Sequence, residues 1–166
     1  NPGGKLPVTF YESTKDLPDF LDYSMENRTY RYFRGVPQYA FGYGLSYTTF
    51  EVGKGKISKK SMKADGSVKI TVPVENTGDR EGTETIQVYV KALDYAEAPI
   101  KSLKGFQKIN LKAGEKGKVE IVLDGESFQY YDPSIDELST RTGRYQILYG
   151  TSSLEKDLKS IDFVVK

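Results

Sequence analysis

The amino-acid sequence predicts an all-β fold: an antiparallel β-sandwich of about seven strands, preceded by an irregular N-terminal extension. Three observations lead to this prediction. Apolar and polar residues alternate along several segments after residue 49, turn-forming sequences separate those segments, and none of them has the periodicity of a long helix. Residues 1–48 lack this regularity. We therefore predict two regions, 1–48 and 49–166.

The segment SVKITVPVEN shows the strand alternation most clearly. Val68, Ile70 and Val72 fall on one face of the predicted strand, and mainly polar residues fall on the other. Because proline cannot donate a ladder hydrogen bond, Pro73 predicts a bulge or a sheet edge at that point. Further strands are predicted in TETIQVYVKAL, SLKGFQKINL, KVEIVLD, GRYQILYG and SIDFVV.

The apolar faces of these strands should meet as the core between two sheets. We expect this core to contain Val68, Ile70, Val72, Ile86, Val88, Val90, Val119, Ile121, Leu123, Ile147 and Phe163. The strand count and spacing match an immunoglobulin or fibronectin type III kind of sandwich, whose usual size is about 100 residues. A jelly roll, which needs about eight strands, is the alternative.

Composition restricts the chemistry that the chain can perform. The 24 Lys and Arg residues nearly balance the 23 Asp and Glu residues, which argues against a dedicated nucleic-acid or membrane-surface protein. We expect no membrane span and no signal peptide in the 166 residues. Cysteine and histidine are absent, which removes disulfides, thiolate metal sites, the Ser-His-Asp triad and the usual zinc ligand sets. Carboxylates, Tyr, Lys and Ser remain as candidate catalytic groups, and we predict no cofactor and no metal site.

Two short motifs have a functional and a structural interpretation. In FGYGLSY, Tyr47 stands where a dinucleotide fingerprint needs its third glycine, so we interpret these glycines as turn residues among large rings. In YYDPSIDEL, Asp132, Asp136 and Glu137 offer carboxylates for glycoside hydrolysis or a weak cation site. Their spacing matches no calcium loop and Asp-Pro commonly starts a turn, so a solvated loop is favoured.

Two further motifs carry little functional weight on their own. Asn27 to Thr29 form a glycosylation sequon, a triplet that often occurs by chance. The basic run KGKISKKSMK is interpreted as a solvated strand and turn, because the charge of the whole chain is close to zero.

Residues 30–50 concentrate eight aromatic rings in a stretch that also contains three glycines. The rings predict either a seam against other domains or a platform that stacks on sugars, the latter through Tyr30, Tyr32, Tyr39 and Tyr43. We favour the seam. The predicted interface residues are Tyr30, Tyr32, Phe33, Tyr39, Phe41 and Tyr43.

The rings of this stretch should divide into two groups. We expect Phe41, Leu45 and Phe50 to lie on the sandwich. The other group, drawn from Tyr30, Tyr32, Phe33 and Tyr39, should be partly exposed or covered by a second copy.

Five segments resemble a known family: GKLPVTFY, DYSMENRTYRYF, YAFGYGLSYTTF, LKGFQKINLKAGEKGKVEIVL and GRYQILYGTSS are similar, in this order, to the C-terminal part of family 3 glycoside hydrolases. RTYRYF resembles the β-xylosidase branch more than the β-glucosidase branch. The resemblance implies that Gly4 to Phe10 form the closing strand of a preceding α/β sandwich domain. Residues 11–48 would then be a connector and residues 49–166 a fibronectin type III-like domain.

The resemblance also implies a function. In this family the catalytic nucleophile and acid/base lie in domains that precede this region, and no catalytic motif of the family occurs in these 166 residues. We therefore expect a non-catalytic accessory region of a β-xylosidase or β-glucosidase, with the catalytic domains of the same polypeptide as its partner. A carbohydrate ligand and a homodimer through the connector are the other partners considered. The parent protein is expected to be periplasmic or secreted.

Overall fold

The computed structural model describes residues 1–166 and confirms the predicted all-β fold. Its strands are β1 (Phe50–Val52), β2 (Lys56–Ile57), β3 (Ser61–Met62), β4 (Ser67–Asn76), β5 (Gly82–Ala92), β6 (Ser102–Leu111), β7 (Lys116–Asp124), β8 (Tyr130–Asp132), β9 (Glu137–Ser139), β10 (Gly143–Gly150) and β11 (Leu158–Val165). A single-turn helix, α1, spans Thr29–Tyr32, and 3-10 turns span Thr14–Asp16, Gly125–Phe128 and Glu155–Asp157. None of the helices is long and apolar enough to cross a membrane.

The six long strands, β4 to β7, β10 and β11, coincide with the six segments predicted from alternation. The other strands have two or three residues, which is too short for periodicity to reveal them. One sheet contains β4 with β7 on one side and β1 and β2 on the other. The second sheet has the order β3-β11-β10-β5-β6, and β8 pairs only with β9. All pairs are antiparallel, as predicted for the sandwich, except the short parallel pair of β3 with β11.

The core between the two sheets confirms the predicted set. All eleven predicted core residues are buried, with at most 7% of their surface exposed. The core also takes in large side chains that the alternation did not single out, including Phe128, Tyr145 and Tyr149. Burial of each such side chain contributes roughly 1.5 to 3 kcal/mol, which makes this cluster the main source of stability.

The structure places Pro73 at a local edge of the sheet, one of the two predicted arrangements. The register of β4 with β7 runs through Pro73 and Lys118 without a bulge, but on the other side β1 pairs only as far as Val74 and β2 only from Thr71. The neighbouring strand is interrupted between β1 and β2. The Pro73 carbonyl accepts a hydrogen bond from the Gly53 amide at 2.8 Å on that side. The proline nitrogen therefore faces a gap in the ladder, where a missing donor costs little.

The N-terminal extension folds back on itself before it reaches the sandwich. Gly4 to Phe10 form no regular strand within the chain, but the Leu6 amide donates to Tyr43 O at 2.8 Å, and Phe10 forms an isolated antiparallel bridge with Tyr39. The apolar residues Leu17, Phe20 and Leu21 of the extension are exposed. The division at residues 48 and 49 stays a prediction, although the first strand of the sandwich begins at Phe50.

Candidate domain interface

The extension covers the outer face of β5. Thr85, Gln87 and Tyr89 alternate with the core residues of this strand and therefore point away from the core. All three are nevertheless buried, with at most 5% of their surface exposed. In β5, unlike the other long strands, the polar face is a packing surface for another part of the chain.

Gln87 is the hydrogen-bonding centre of this covered face. Its Nε2 donates to Gly42 O at 3.0 Å and to Thr151 O at 2.7 Å, while the Tyr89 hydroxyl donates to Gln87 Oε1 at 2.5 Å. Gly42 has a φ of 78°, and a Cβ there would lie 2.0 Å from Gln87 Oε1. The first glycine of FGYG is therefore needed for a left-handed backbone and for close approach to Gln87, which agrees with its interpretation as a turn residue.

Two rings of the extension pack against this face. Tyr30 and Phe41 are stacked with ring centroids 4.2 Å apart, and Tyr30 meets Tyr89 edge to face at 5.8 Å. The Tyr30 hydroxyl accepts a hydrogen bond from the Leu103 amide at 2.9 Å. Burial raises the pKa of Tyr89, because the ionised phenolate would not be hydrated in this site. These inward rings fix the extension to β5 and β6.

Polar contacts fasten the extension on both sides of the stacked rings. Helix α1 places Arg31 so that its guanidinium donates to Ser102 Oγ at 3.2 and 3.0 Å. Lys5 forms an ion pair of 2.7 Å with Glu84 of β5, and both side chains are mostly covered. The extension is thus held along its length by charge-assisted hydrogen bonds as well as by packing.

A second group of side chains points away from the sandwich. Tyr39 contacts Tyr43 at 5.6 Å and Phe10 at 6.1 Å, measured between ring centroids. Together with Leu6 and Leu45 they line an open surface cavity of about 680 Å³. Phe10 and Tyr39 are close to half exposed, and Leu45 is 71% exposed. We call Leu6, Phe10, Tyr39, Tyr43 and Leu45 the outer aromatic face.

The structure divides the predicted interface residues between these two groups. Tyr30 and Phe41 lie inward, Tyr39 and Tyr43 belong to the outer aromatic face, and Tyr32 and Phe33 are half-buried beside α1. Phe33 packs edge to face on Tyr11 at 4.8 Å and lines a separate cavity of about 410 Å³. Which of these residues meet another domain stays a prediction.

The sequence predicts that Phe41, Leu45 and Phe50 pack on the sandwich. Phe41 and Phe50 pack on the sandwich as expected, but the expectation for Leu45 is wrong because its side chain faces solvent. At the neighbouring Gly44 the backbone approaches Gly4 so closely that a side chain at position 44 would clash with the Gly4 carbonyl. Sequence reasoning also did not assign Phe10 to the outer aromatic face, although its pairing with Tyr39 brings it there.

The carboxylates of YYDPSIDEL lie in the hairpin of β8 and β9, where the predicted solvated loop is correct for the turn residue Asp136 and wrong for Asp132. Asp132 is 4% exposed, accepts hydrogen bonds from Ser134 and pairs with Arg141 at 3.1 Å. These hydrogen bonds from Ser134, with the charge of Arg141, lower the pKa of Asp132. Asp136 and Glu137 are exposed. No group of three or more acidic side chains is placed to hold a metal ion.

Known proteins match this chain over nearly all of its length. Residues 84–153 match the fibronectin type III-like domain family. A xylan 1,4-beta-xylosidase of Xylanibacter ruminicola is 49% identical over 162 residues, which cover 97% of this chain and 18% of that protein. A periplasmic beta-glucosidase of Salmonella typhimurium is 37% identical over 166 residues, which cover 92% of this chain and 22% of that protein.

A solved structure shows the same architecture. The crystal structure of the Bifidobacterium adolescentis GH3 beta-glucosidase superimposes with a TM-score of 0.84 at 31% identity, covering 99% of this chain and 26% of that one. The match includes the extension as well as the sandwich. The chain spans about a fifth of the length of the curated relatives that it matches.

Proposed function

We propose, from the confirmed resemblance to the fibronectin type III-like region of family 3 β-xylosidases and β-glucosidases, that this chain is a non-catalytic accessory region of such an enzyme. Its role is to stabilise the catalytic domains of the same polypeptide. The parent enzyme would act on plant polysaccharides or oligosaccharides, and its location would be the periplasm or the outside of the cell. The periplasmic relative supports that location.

The outer aromatic face is the observation that carries the proposal. Two half-exposed rings and a largely exposed leucine surround an open cavity, although the other side of the same segment is firmly fixed to β5 and β6. A contiguous apolar surface on a fixed segment indicates an interaction site. In the relatives, about four-fifths of the polypeptide lies outside the matched region and supplies a natural cover.

Replacing Phe10, Tyr39 and Leu45 together by Ser tests this role. The change is made in the full-length enzyme and in the 166-residue chain, and thermal unfolding is measured for both, with hydrolysis of aryl xyloside and aryl glucoside for the enzyme. Each side chain buried in an interface contributes roughly 1.5 to 3 kcal/mol, so we expect the enzyme to lose several kcal/mol of stability and much of its activity. The isolated chain should lose clearly less, because these side chains are already exposed in it.

A matched variant replaces Val122 and Leu138 by Ser, since both are largely exposed on the sandwich and neither lines a cavity with the extension. It should leave the enzyme unchanged. An unchanged enzyme with the triple variant would refute the interface. Equal losses in both proteins would assign the three side chains to the stability of the chain itself.

Two further measurements separate the competing roles of the same surface. A titration of the isolated chain with xylo-oligosaccharides tests the carbohydrate-binding module, which would bind through exposed tyrosines. Sedimentation of the isolated chain tests a homodimer through the connector. The accessory role predicts no saturable binding of these uncharged xylo-oligosaccharides by the triple variant or by the original chain.

A further inference from the structure

A ridge of lysines crosses the surface at β2 and β3. Residues 52–64 contain five lysines and no acidic residue, although the whole chain has a net charge of only +1, so the remainder carries −4. The five are Lys54, Lys56, Lys59, Lys60 and Lys63. All are exposed, and none of their ammonium groups has an ion pair or a hydrogen bond within the chain. We call these five residues the lysine ridge.

The backbone beneath the lysine ridge is fixed by buried anchors. The Gly55 amide donates to the Tyr149 hydroxyl at 2.7 Å, and Gly55 packs so closely on that ring that a Cβ would lie 2.9 Å from it. Ile57 packs against the core and Met62 is buried within it. Because inward anchors alternate with lysines, the charges are held outward on a rigid support and do not lie on a flexible loop.

Neighbouring groups add to the positive charge of the lysine ridge. Lys159 donates from Nζ to Val52 O at 2.6 Å, and the Lys166 amide donates to Met62 O at 2.8 Å, so two more lysines lie beside it. The acidic residues closest in sequence, Glu51 and Asp65, flank the ridge at its two ends. Across the sheet, Glu120 lies two strands from Lys56 and is already paired with Lys69 and Lys118. The five lysines therefore have no direct acidic partner in the chain, and an anionic partner would relieve their mutual repulsion.

We infer that the lysine ridge binds an anionic polysaccharide, a sugar polymer that bears carboxylate groups. The inference rests on the proposed function, since an enzyme that acts on plant polysaccharides would be held near its substrate by such binding. Each ammonium group can donate charge-assisted hydrogen bonds to a carboxylate. Binding would be weak for each lysine and additive along the ridge, and it would weaken with salt.

The structure favours a polysaccharide over nucleic acid or a membrane. Residues 52–64 expose no aromatic ring for stacking on bases and no large apolar side chain for insertion into lipid. Lys56 lies in β2, and the other four lysines lie next to β2 and β3 in the chain. The chain as a whole, with a net charge of +1, also lacks the cationic excess of a dedicated nucleic-acid or membrane-surface protein.

Affinity electrophoresis of the 166-residue chain tests the inference with a matched pair of polymers. Native gels contain either glucuronoxylan or the same polymer after reduction of its carboxyl groups to alcohols. We expect the chain to be retarded only by the first polymer, and less so at high salt. The variant K56Q/K59Q/K60Q should bind about tenfold more weakly or worse, on the basis of the attraction per lysine near an anionic surface.

The control variant K108Q/K112Q/K156Q removes three exposed lysines that lie outside the ridge and have no ion pair. Both variants change the net charge from +1 to −2, so a general charge effect would weaken binding equally in both. Equal weakening, or equal retardation by the reduced polymer, would overturn the inference. Retention on duplex DNA or on phosphatidylserine vesicles with no retention by glucuronoxylan would also overturn it.

The outcome is independent of the interface test. Substitutions in the lysine ridge should leave thermal unfolding of the full-length enzyme unchanged, whereas loss of the outer aromatic face should alter unfolding without altering retardation by glucuronoxylan. Failure of either test therefore leaves the other result interpretable.

Discussion

Strands β4 and β5 share the same alternation of apolar and polar residues, but their polar faces have different environments. Both alternate apolar and polar residues, and in both the apolar set is buried in the core. On β4 the other set, Lys69, Thr71, Pro73 and Glu75, remains partly or fully exposed. On β5 the corresponding set, Thr85, Gln87 and Tyr89, is buried by the extension. Alternation of polar and apolar residues thus predicts a strand, but it does not show that the polar side of the strand is exposed to solvent.

The difference arises from what each polar side chain can bond to. Gln87 and Tyr89 are amphipathic enough to be buried once their hydrogen bonds are made within the protein, and the extension supplies those partners. Lys69 instead pairs across the surface with Glu120 of β7. The outer face of β5 therefore behaves as a second, smaller core that is polar in composition.

The largest expected effect comes from Tyr89. Replacing Tyr89 by Ala removes a fully buried ring from beneath Tyr30, so we expect a loss of about 3 to 5 kcal/mol in the free energy of unfolding. The equivalent change on β4, Thr71 to Ala, should alter it by no more than about 0.5 kcal/mol. Urea unfolding measures both. A cost for Tyr89 as small as that for Thr71 would show that the extension contributes little to stability.

The next largest effect is expected for the change of Gly42 to Ala, which tests how the close approach of the extension to β5 contributes to the free energy of unfolding. Substitution by Ala strains a left-handed backbone and places a Cβ against Gln87, so we expect a loss of about 2 to 3 kcal/mol. Gly114 is the matched control, because it has a φ of 72° but open space around it. Its change to Ala should cost only about 1 kcal/mol.

A double-mutant cycle with Gln87 tests the origin of that difference. If contact with Gln87 causes the extra cost, the combined change Gly42→Ala and Gln87→Ala should cost less than the sum of the single changes, by about 0.5 to 3 kcal/mol. Strict additivity would contradict the contact. Equal costs at Gly42 and Gly114 would contradict it independently.

The smallest expected effect separates a covered ion pair from an exposed one. Lys5 and Glu84 have side chains that are 16% and 12% exposed, whereas Lys69 and Glu120 are 47% and 39% exposed. Changing Lys5 to Met leaves the Glu84 carboxylate largely covered without its partner, at a cost of about 1 to 2 kcal/mol. Changing Lys69 to Met should cost at most about 0.5 kcal/mol.

Salt provides the control for this last pair of variants. Added salt screens the exposed pair more strongly than the covered one, so the difference between the two variants should persist at high ionic strength. Urea unfolding at low and high salt measures this. If the cost at Lys5 vanished with salt, the outer face of β5 would be hydrated like that of β4.

The candidate interface was predicted only in part from the sequence. The concentration of rings between residues 30 and 50 identified the segment, because large apolar side chains in a segment without periodicity need a covering surface. The direction of each ring was not predictable. Tyr30 and Phe41 turn inward because Tyr89 lies beneath them, whereas Leu45 of the same segment is largely exposed.

The sequence by itself determined the two-sheet core, the family resemblance and the lack of imidazole and thiol chemistry. Residues two apart in a strand share a face, so the local sequence is enough to predict that Val68, Ile86 and Phe163 face the core. The tertiary structure alone decided that β3 runs parallel to β11, that Pro73 lies at an edge and not in a bulge, and that the polar side of β5 is buried. Each of these three features depends on contact with a segment that is distant in the chain, as Gln87 depends on the Gly42 carbonyl. A local sequence pattern does not show which distant segment will supply the hydrogen-bond and packing partners.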